Sequence, residues 1–196
     1  MVRTIDQEAR RRVIVDAVWR TLDRGGLEEA SVRKVAAESG LATGSVRHFF
    51  GTQAELHEFA LRSLSDRVGE RVRQAAEEPD VRQRVLAMLG ELMPLRDDTA
   101  RELSIWLEFV HRARFDPALA AVVAEQAAEV REFLRHVVRG LGELGQLTPD
   151  ADYEHAAAGL NAFVDGLTFE LLTAPALLTR QQAVELLEHY LFGAAG

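Results

Sequence analysis

The sequence predicts an all-α protein of about nine helices. Apolar residues recur three and four positions apart through most of the 196 residues, which is the spacing of one helix face. No segment alternates apolar and polar residues for long enough to form a half-buried strand. Between the apolar stretches lie capping hydroxyls, carboxylates, glycines and prolines, which start and stop helices. We expect three helices in an N-terminal domain (residues 1–51) and six in a C-terminal domain (residues 52–196).

The first helix has a recognisable start and end. Thr4 is a suitable N-cap, with Gln7 at the capping-box position. Gly25-Gly26 ends the helix, because glycine leaves the helical region without steric cost. Its inward face is formed by Ile14, Ala17, Val18 and Leu22.

Two short helices joined by a tight turn follow. Ser31 caps the first of them and Gly40 ends it. The second runs from about Thr43 to Phe50 and is stopped by Gly51. This arrangement is typical of a helix-turn-helix, whose second helix enters the major groove of DNA. The side of that helix away from the core carries polar and basic residues of a size that reaches base edges, namely Thr43, Ser45, Arg47 and His48.

A long helix connects the two domains and five more follow it. Thr52 and Glu55 form a capping box that begins the connecting helix, which we expect over residues 52–77. Each later helix begins at a cap or a proline. The expected starts and ends are Pro79-Asp80 to Met93, Thr99 (with Glu102) to Phe115, Asp116-Pro117 to Gly145, Thr148-Pro149 to Thr173, and Thr179 (with Gln182) to Gly193.

Composition limits the class of protein. The net charge is −8, but residues 1–50 hold nine Arg/Lys and seven Asp/Glu (+2), and the rest hold fourteen and twenty-four (−10). The acidity therefore lies away from the helix-turn-helix, whose local basic face governs phosphate binding. There is no cysteine, no 18-residue apolar run and no signal-peptide core. We expect a cytoplasmic protein with no membrane partner.

The span from about residue 9 to residue 60 resembles the DNA-binding domain of TetR-family transcriptional regulators. The matching features are Gly25-Gly26, SVRKVAAESGLATGSV, and Phe49-Phe50 before Thr52-x-x-Glu55-Leu56; His48-Phe49-Phe50 is closest to the choline-responsive BetI-type subgroup. Arg47 and Gln53 depart from the tyrosine and lysine that many members have. The helix-turn-helix and the resemblance together imply contacts to double-stranded operator DNA by Arg33, Lys34, Thr43, Ser45, Arg47, His48 and Gln53.

The last two helices have the composition of a helix-helix interface. Apolar residues on the eighth helix alternate three and four apart, and a strip with Gly159, Phe163 and Gly166 lies beside them. Part of this surface must be core within the chain, but two apolar strips exceed what one neighbour covers. We expect a homodimer, as the TetR resemblance also implies. The interface is predicted at Leu160, Val164, Leu167, Leu171, Leu187, Tyr190 and Leu191.

The sixth helix predicts a ligand pocket for a small-molecule effector. Leu103, Ile105–Leu107, Phe109 and Val110 leave almost no polar face, which favours a helix buried all round. Such aromatic stretches are often ordinary core, but polar residues nearby favour a pocket. The predicted lining is Met88, Met93, Trp106, Phe109, His111, Asn161, Phe163 and Asp165. Both a lipophilic ligand and a cation fit this lining.

Other classes of protein have less support. The six histidines form no HExxH, no nucleophile elbow surrounds Ser45, and no glycine loop cradles a phosphate. We therefore expect no enzyme, no catalytic residue, no cofactor and no bound metal. A metal sensor using His111 and His155, or a helical interaction module without DNA binding, is the alternative. The preferred interpretation is a homodimeric repressor that a small hydrophobic or cationic effector releases from a palindromic operator.

Overall fold

The described residues of the chain form α-helices joined by turns and short loops. The computed structural model describes residues 2–145 and 152–193, with side chains from residue 9 onward. Nine α-helices and no strand occur in these two ranges, which confirms the predicted all-α class. The helices are α1 (Val2–Glu29), α2 (Val32–Ser39), α3 (Thr43–Phe49), α4 (Gln53–Ala75), α5 (Val81–Gly90), α6 (Asp97–Ala113), α7 (Pro117–Glu143), α8 (Tyr153–Thr173) and α9 (Arg180–Phe192).

The N-terminal helices end where the sequence predicts, with one exception at the start. The Ser31 hydroxyl accepts a hydrogen bond from the Lys34 amide at 3.3 Å, and Gly40 ends α2 with φ 69°. Gly25 and Gly26 leave the helical region within α1, so the last residues before α2 form a separate turn. Thr4 is not the N-cap, because α1 already begins at Val2.

Several caps of the later helices follow the sequence closely. Asp80 and Asp116 cap α5 and α7, accepting hydrogen bonds from the Gln83 amide (2.8 Å) and the Ala118 amide (3.1 Å). Thr179 and Gln182 form the predicted capping box of α9. Asp152 caps α8 in the described chain, and the predicted start at Thr148-Pro149 lies outside the described residues.

Two caps differ from the prediction. Thr52 accepts a hydrogen bond from the Glu55 amide at 3.1 Å, but Glu55 accepts in return from the Gly51 amide, at 2.8 Å, rather than from Thr52. Helix α6 begins at Asp97, two residues before the predicted cap Thr99. The Thr99 hydroxyl instead closes a turn with the Arg96 amide at 3.1 Å.

The helices group into two compact units whose limits differ from the predicted domain boundary at residue 51. Unit 1 contains Met1–Asp66 and Ser104–Ala124; unit 2 contains Arg67–Leu103 and Glu125–Gly196. Helices α4, α6 and α7 therefore each contribute residues to both units. The reason is that the second half of α6 packs with the N-terminal helices, as the hydrogen bond from the Leu27 amide to Glu108 shows.

Each unit has its own apolar core. In unit 1, Ile14, Leu22 and Leu56 are fully buried, and the Trp19 indole donates to the Ser63 hydroxyl at 3.1 Å. In unit 2, buried side chains of α5, α7, α8 and α9 form one cluster. The largest fully buried members of this cluster are Leu89, Met93, Leu134, Leu160 and Leu187. Removing apolar surface from water contributes about 25 cal/mol per Å², and this contribution holds the helices together.

Helix α6 is amphipathic, and the prediction that it is buried all round is wrong. Its inner face contains Glu102, Ile105 and Phe109, each no more than 4% exposed. The prediction counted the apolar residues but gave too little weight to polar residues at helical spacing. These form one exposed face and are Arg101, Ser104, Glu108, His111 and Arg112.

An ion-pair network within unit 2 joins the second half of α4 to α6 and to the segment before it. Glu102 is 4% exposed and pairs with Arg67 at 2.9 Å and with Arg71 at 2.7 Å. Arg71 also bonds Glu91 at 2.8 Å, and Arg96 binds both oxygens of Glu91 at 2.8 Å. Hydrogen bonds from Arg96, opposed by burial and reinforced by Arg71, hold the pKa of Glu91 below its ordinary value. The Glu91 carboxylate is therefore ionised and paired at neutral pH.

Candidate functional site

The outer face of α3 carries the polar residues predicted to read bases. Val46 is fully buried and fixes the helix against unit 1, while Thr43, Arg47 and His48 are exposed and Ser45 is half-buried. Gly44 is also exposed, and apart from its chain neighbours and the backbone of its own helix no atom lies within 4 Å of the position a Cβ would take. The face is therefore open along its length, as a helix that enters a groove requires.

Arginines near α3 differ in whether an acidic partner already holds them. Within the described part of the chain, neither Arg33 nor Arg47 forms an ion pair. Arg20 and Arg24 both pair with Glu38, and these pairs join α1 to α2. The hydrogen bonds from Arg24 and, next, from Arg20 lower the pKa of Glu38. Exposed guanidinium groups without a partner bind phosphate or a guanine edge at no cost of breaking an ion pair.

Lys34 is less available to DNA than the sequence alone indicates, whereas Gln53 is exposed. The Lys34 ammonium pairs with Glu29, so a phosphate must compete with that carboxylate. The Gln53 amide nitrogen lies 3.5 Å from Nε2 of His57, which is 2% exposed. Nε2 of His57 also lies 3.1 Å from the Ala30 carbonyl, so this nitrogen carries the hydrogen and donates it. Burial lowers the pKa of His57 and keeps the ring neutral.

The residues predicted to line an effector pocket are divided between the two units. Trp106, Phe109 and His111 belong to unit 1, where Phe109 is fully buried against the edge of the His57 ring. The other five belong to unit 2: Met88, Met93, Asn161, Phe163 and Asp165. There Met93 is fully buried, Phe163 stacks on Tyr190 at 4.3 Å, and Asn161 donates to Asp165 at 2.6 Å. The pocket stays a prediction.

Two cavities lie within single units. One of about 710 Å³ in unit 1 is lined by Leu27, Glu28, Ser104, Leu107, Glu108, His111, Arg112, Phe115 and Asp116. Another of about 250 Å³ in unit 2 is lined by Pro94, Ala100, Leu171, Pro175, Leu178, Thr179 and Arg180. His111 is the one predicted pocket residue in these two linings. The signal that was missed is the polar spacing of α6, which places Ser104, Glu108, His111 and Arg112 on one face.

The predicted dimer interface needs correction at most of its residues. Five of the seven side chains are core residues of the chain itself, at most 9% exposed: Leu160, Val164, Leu167, Leu171 and Leu187. Their apolar surface is covered by α5, α7 and α9, so it is unavailable to a second chain. Tyr190 is 44% exposed and Leu191 half-buried.

A different strip of α8 and α9 is apolar and uncovered. Phe169, Leu186 and Tyr190 are 58%, 45% and 44% exposed. Ala162 and Gly166, which precede Phe169 at helical spacing, are exposed too. Exposed large side chains at this spacing are typical of a surface that another helix covers. We call these five residues the outer α8–α9 strip.

Metal binding and membrane insertion have no support in the described ranges. Residues 2–145 and 152–193 contain no group of three histidine, aspartate or glutamate side chains that is suitably placed to hold a metal ion. His111 and His155, the pair considered from the sequence, belong to different units. Nor does any helix in those ranges have the length and apolar character of a membrane span.

Comparison with known proteins gives consistent matches. A family model for the C-terminal part of BetI-type transcriptional repressors matches residues 81–194. The chain is 32% identical over 188 residues to the HTH-type transcriptional regulator PksA of Bacillus subtilis (strain 168), covering 93% of this chain and 88% of PksA. It is 27% identical over 187 residues to BetI of Burkholderia cenocepacia (strain HI2424), covering 94% and 93%. The crystal structure of a transcriptional regulator from Rhodococcus sp. Rha1 is similar at 32% identity and a TM-score of 0.76, covering 93% of each chain.

Proposed function

Because this chain belongs to the TetR family of transcriptional regulators, with a BetI-type C-terminal part, we propose that it is a homodimeric repressor of a palindromic operator. In this proposal a small hydrophobic or cationic effector releases it from DNA. Members of the family are regulators rather than enzymes, in agreement with the sequence analysis. A protein with this function works in the compartment that holds the chromosome, and we place it in the cytoplasm on that ground.

The observation that carries the proposal is the open outer face of α3. It combines hydroxyls for base edges with an arginine, Arg47, that no acidic group of the described chain neutralises. Arginine is the side chain that most often reads guanine, through two parallel hydrogen bonds to O6 and N7. Arg33, at the start of α2, is a suitable phosphate contact. Two such faces in a symmetric dimer fit half-sites about 34–36 Å apart, or somewhat more widely spread.

We expect Arg47→Ala to weaken operator binding by about 10- to 100-fold, because a lost bidentate arginine contact costs about 1–3 kcal/mol. Fluorescence anisotropy at moderate salt, with an operator selected from genomic fragments, measures the affinity. Arg139→Ala is the matched control, since Arg139 is an exposed arginine of α7 in unit 2. We expect it to change the affinity less than about twofold. If both variants bind the operator as tightly as the unmodified protein, Arg47 does not contact the operator.

Effector release requires that the ligand bind one conformation of the dimer better than the other. A ligand shifts the DNA-bound population only by its differential affinity for the two conformations. The two chemical classes left open by the sequence are separated by Asp165→Asn. This change should abolish the effect of a cation held in unit 2 and leave a lipophilic ligand unaffected. Thermal-shift screening with both classes, on the unmodified protein and the variant, provides the readout.

A further inference from the structure

The cavity of about 710 Å³ in unit 1 is outside the predicted DNA interface and almost entirely outside the predicted pocket. It is formed by the outer face of α6, the turn after α6 and the residues that follow Gly26. All of its lining residues belong to unit 1, so its shape is set within one packed body. Its volume is in the range of pockets that hold drug-sized ligands, and it is a groove that opens widely to solvent.

The apolar part of the cavity includes an aromatic side chain that is largely exposed. Phe115 is 78% exposed, the most exposed phenylalanine in the described chain. Its ring already attracts polar neighbours: the Arg114 guanidinium is 6.0 Å from the centroid, and the His111 ring meets it edge-on at 6.0 Å. Leu27 and Leu107 complete the apolar lining. A ring face next to apolar side chains favours a ligand that is both greasy and positively charged.

Charge in the lining selects the same class of ligand. Three carboxylates, from Glu28, Glu108 and Asp116, line the cavity with the guanidinium of Arg112, and the Arg114 guanidinium lies beside the Phe115 ring, which leaves a net negative charge of one. An anion entering this cavity would be repelled by the net negative charge, whereas a cation would be attracted.

Glu108 is the carboxylate whose position is best defined. It accepts a hydrogen bond from the Leu27 amide at 2.9 Å. It also occupies the space beside Gly26, where φ is 65° and a Cβ would collide with the carboxylate oxygens. One bond to a neutral amide leaves most of the charge of this carboxylate available. Because it is fixed by the backbone, it does not lose side-chain freedom when a ligand binds.

We propose that this cavity binds an organic cation with an apolar body, which the Glu108 carboxylate anchors and the Phe115 ring covers. A regulatory role for this site rests on the proposed function. Glu108 also accepts a hydrogen bond from the Leu27 amide in the turn before α2, so a cation that pairs with Glu108 acts directly on the segment that leads into the helix-turn-helix.

Calorimetric titration of the full chain with tetraphenylphosphonium tests the site. Tetraphenylborate, an anion of the same shape, is the control for charge. Glu108→Gln keeps an acceptor for the Leu27 amide and removes only the charge, so it preserves the fold. Phe115→Ala removes an exposed ring and cannot disturb the core. Glu143→Gln, at an exposed carboxylate of α7 in unit 2, makes the same change in net charge elsewhere.

We expect saturable binding of the cation and none of the anion. Glu108→Gln should weaken it about tenfold or more, Phe115→Ala about three- to tenfold, and Glu143→Gln less than twofold. Binding that is unchanged in both Glu108→Gln and Phe115→Ala overturns the proposal. So does the absence of saturable binding up to about 1 mM, or equal binding of tetraphenylborate.

Operator binding without any cation separates this inference from the proposed function. If the protein binds operator DNA but the cation fails these criteria, the cavity proposal falls alone. If the cation binds with the expected variant pattern but no DNA fragment is selected, the site stands and the repressor function falls.

Discussion

Phe169→Glu should convert the protein from a dimer to a monomer at micromolar concentration and lower its operator affinity about a hundredfold or more. Phe169 is 58% exposed and lies in the outer α8–α9 strip with Leu186 and Tyr190. In the proposed dimer the partner covers this strip, so the new carboxylate would be buried without a counter-charge. A monomer presents one recognition helix and loses the gain in affinity from two linked half-sites.

Sedimentation velocity and anisotropy measure the two effects, and two further variants identify their cause. Leu177→Glu is the matched control, because Leu177 is 81% exposed but lies between α8 and α9, outside the strip. It should leave a dimer that binds DNA. Leu187→Glu should instead unfold the chain, because Leu187 is 1% exposed in the core of unit 2. If the Phe169→Glu protein sediments as a dimer, the interface lies elsewhere.

Glu102→Ala should lower the free energy of unfolding by about 2–4 kcal/mol. Glu102 is 4% exposed and holds the guanidinium groups of both Arg67 and Arg71. Its removal leaves Arg71, whose side chain is 20% exposed, with Glu91 as its remaining ion-pair partner among the described residues. The loss is below that of a fully buried pair, because the Arg67 side chain is 46% exposed and returns to water.

Urea unfolding followed by circular dichroism measures this loss. Asp97→Ala provides the control on the same helix: Asp97 pairs with Arg180 at 2.7 Å, but its side chain is 81% exposed. We expect that variant to lose less than about 0.5 kcal/mol. Equal stabilities of the Glu102→Ala and Asp97→Ala proteins would show that burial adds nothing to the Glu102 pairs.

Local signals in the sequence predicted most of the helix ends. Ser31, Asp80, Asp116 and Thr179 cap helices because each oxygen bonds an amide two or three residues further on, which needs no knowledge of the rest of the chain. Thr99 is not the cap of α6, because the helix already begins at Asp97. The Thr99 hydroxyl bonds the Arg96 amide instead, and Glu102, the second half of the predicted capping box, pairs with Arg67 and Arg71.

Which face of a helix meets which neighbour could not be predicted in the same way. The strip from Leu160 to Leu171 and the outer α8–α9 strip share one helix, and spacing alone does not say which the chain covers itself. In α6, counting apolar residues did not predict the exposed face that includes Glu108, because that face depends on the spacing of the polar residues. The partner of Lys34 could not be predicted either, because Glu29 reaches it only through the turn after Gly26.

The exposed residues of α3 were predicted well because the pattern there is short and local. Val46 and Phe50 must face the small core, so the hydroxyls and Arg47 must face outward. The central claim, that this outward face reads a specific operator, depends on those few residues.

Selection of genomic fragments by the purified dimer at moderate salt tests that claim most directly. The account predicts enrichment of fragments that share a palindrome, bound at least about a thousandfold more tightly than random DNA, with that preference reduced about 10- to 100-fold in Arg47→Ala. Fragments bound no better than random DNA, or an enrichment that Arg47→Ala leaves intact, would contradict it.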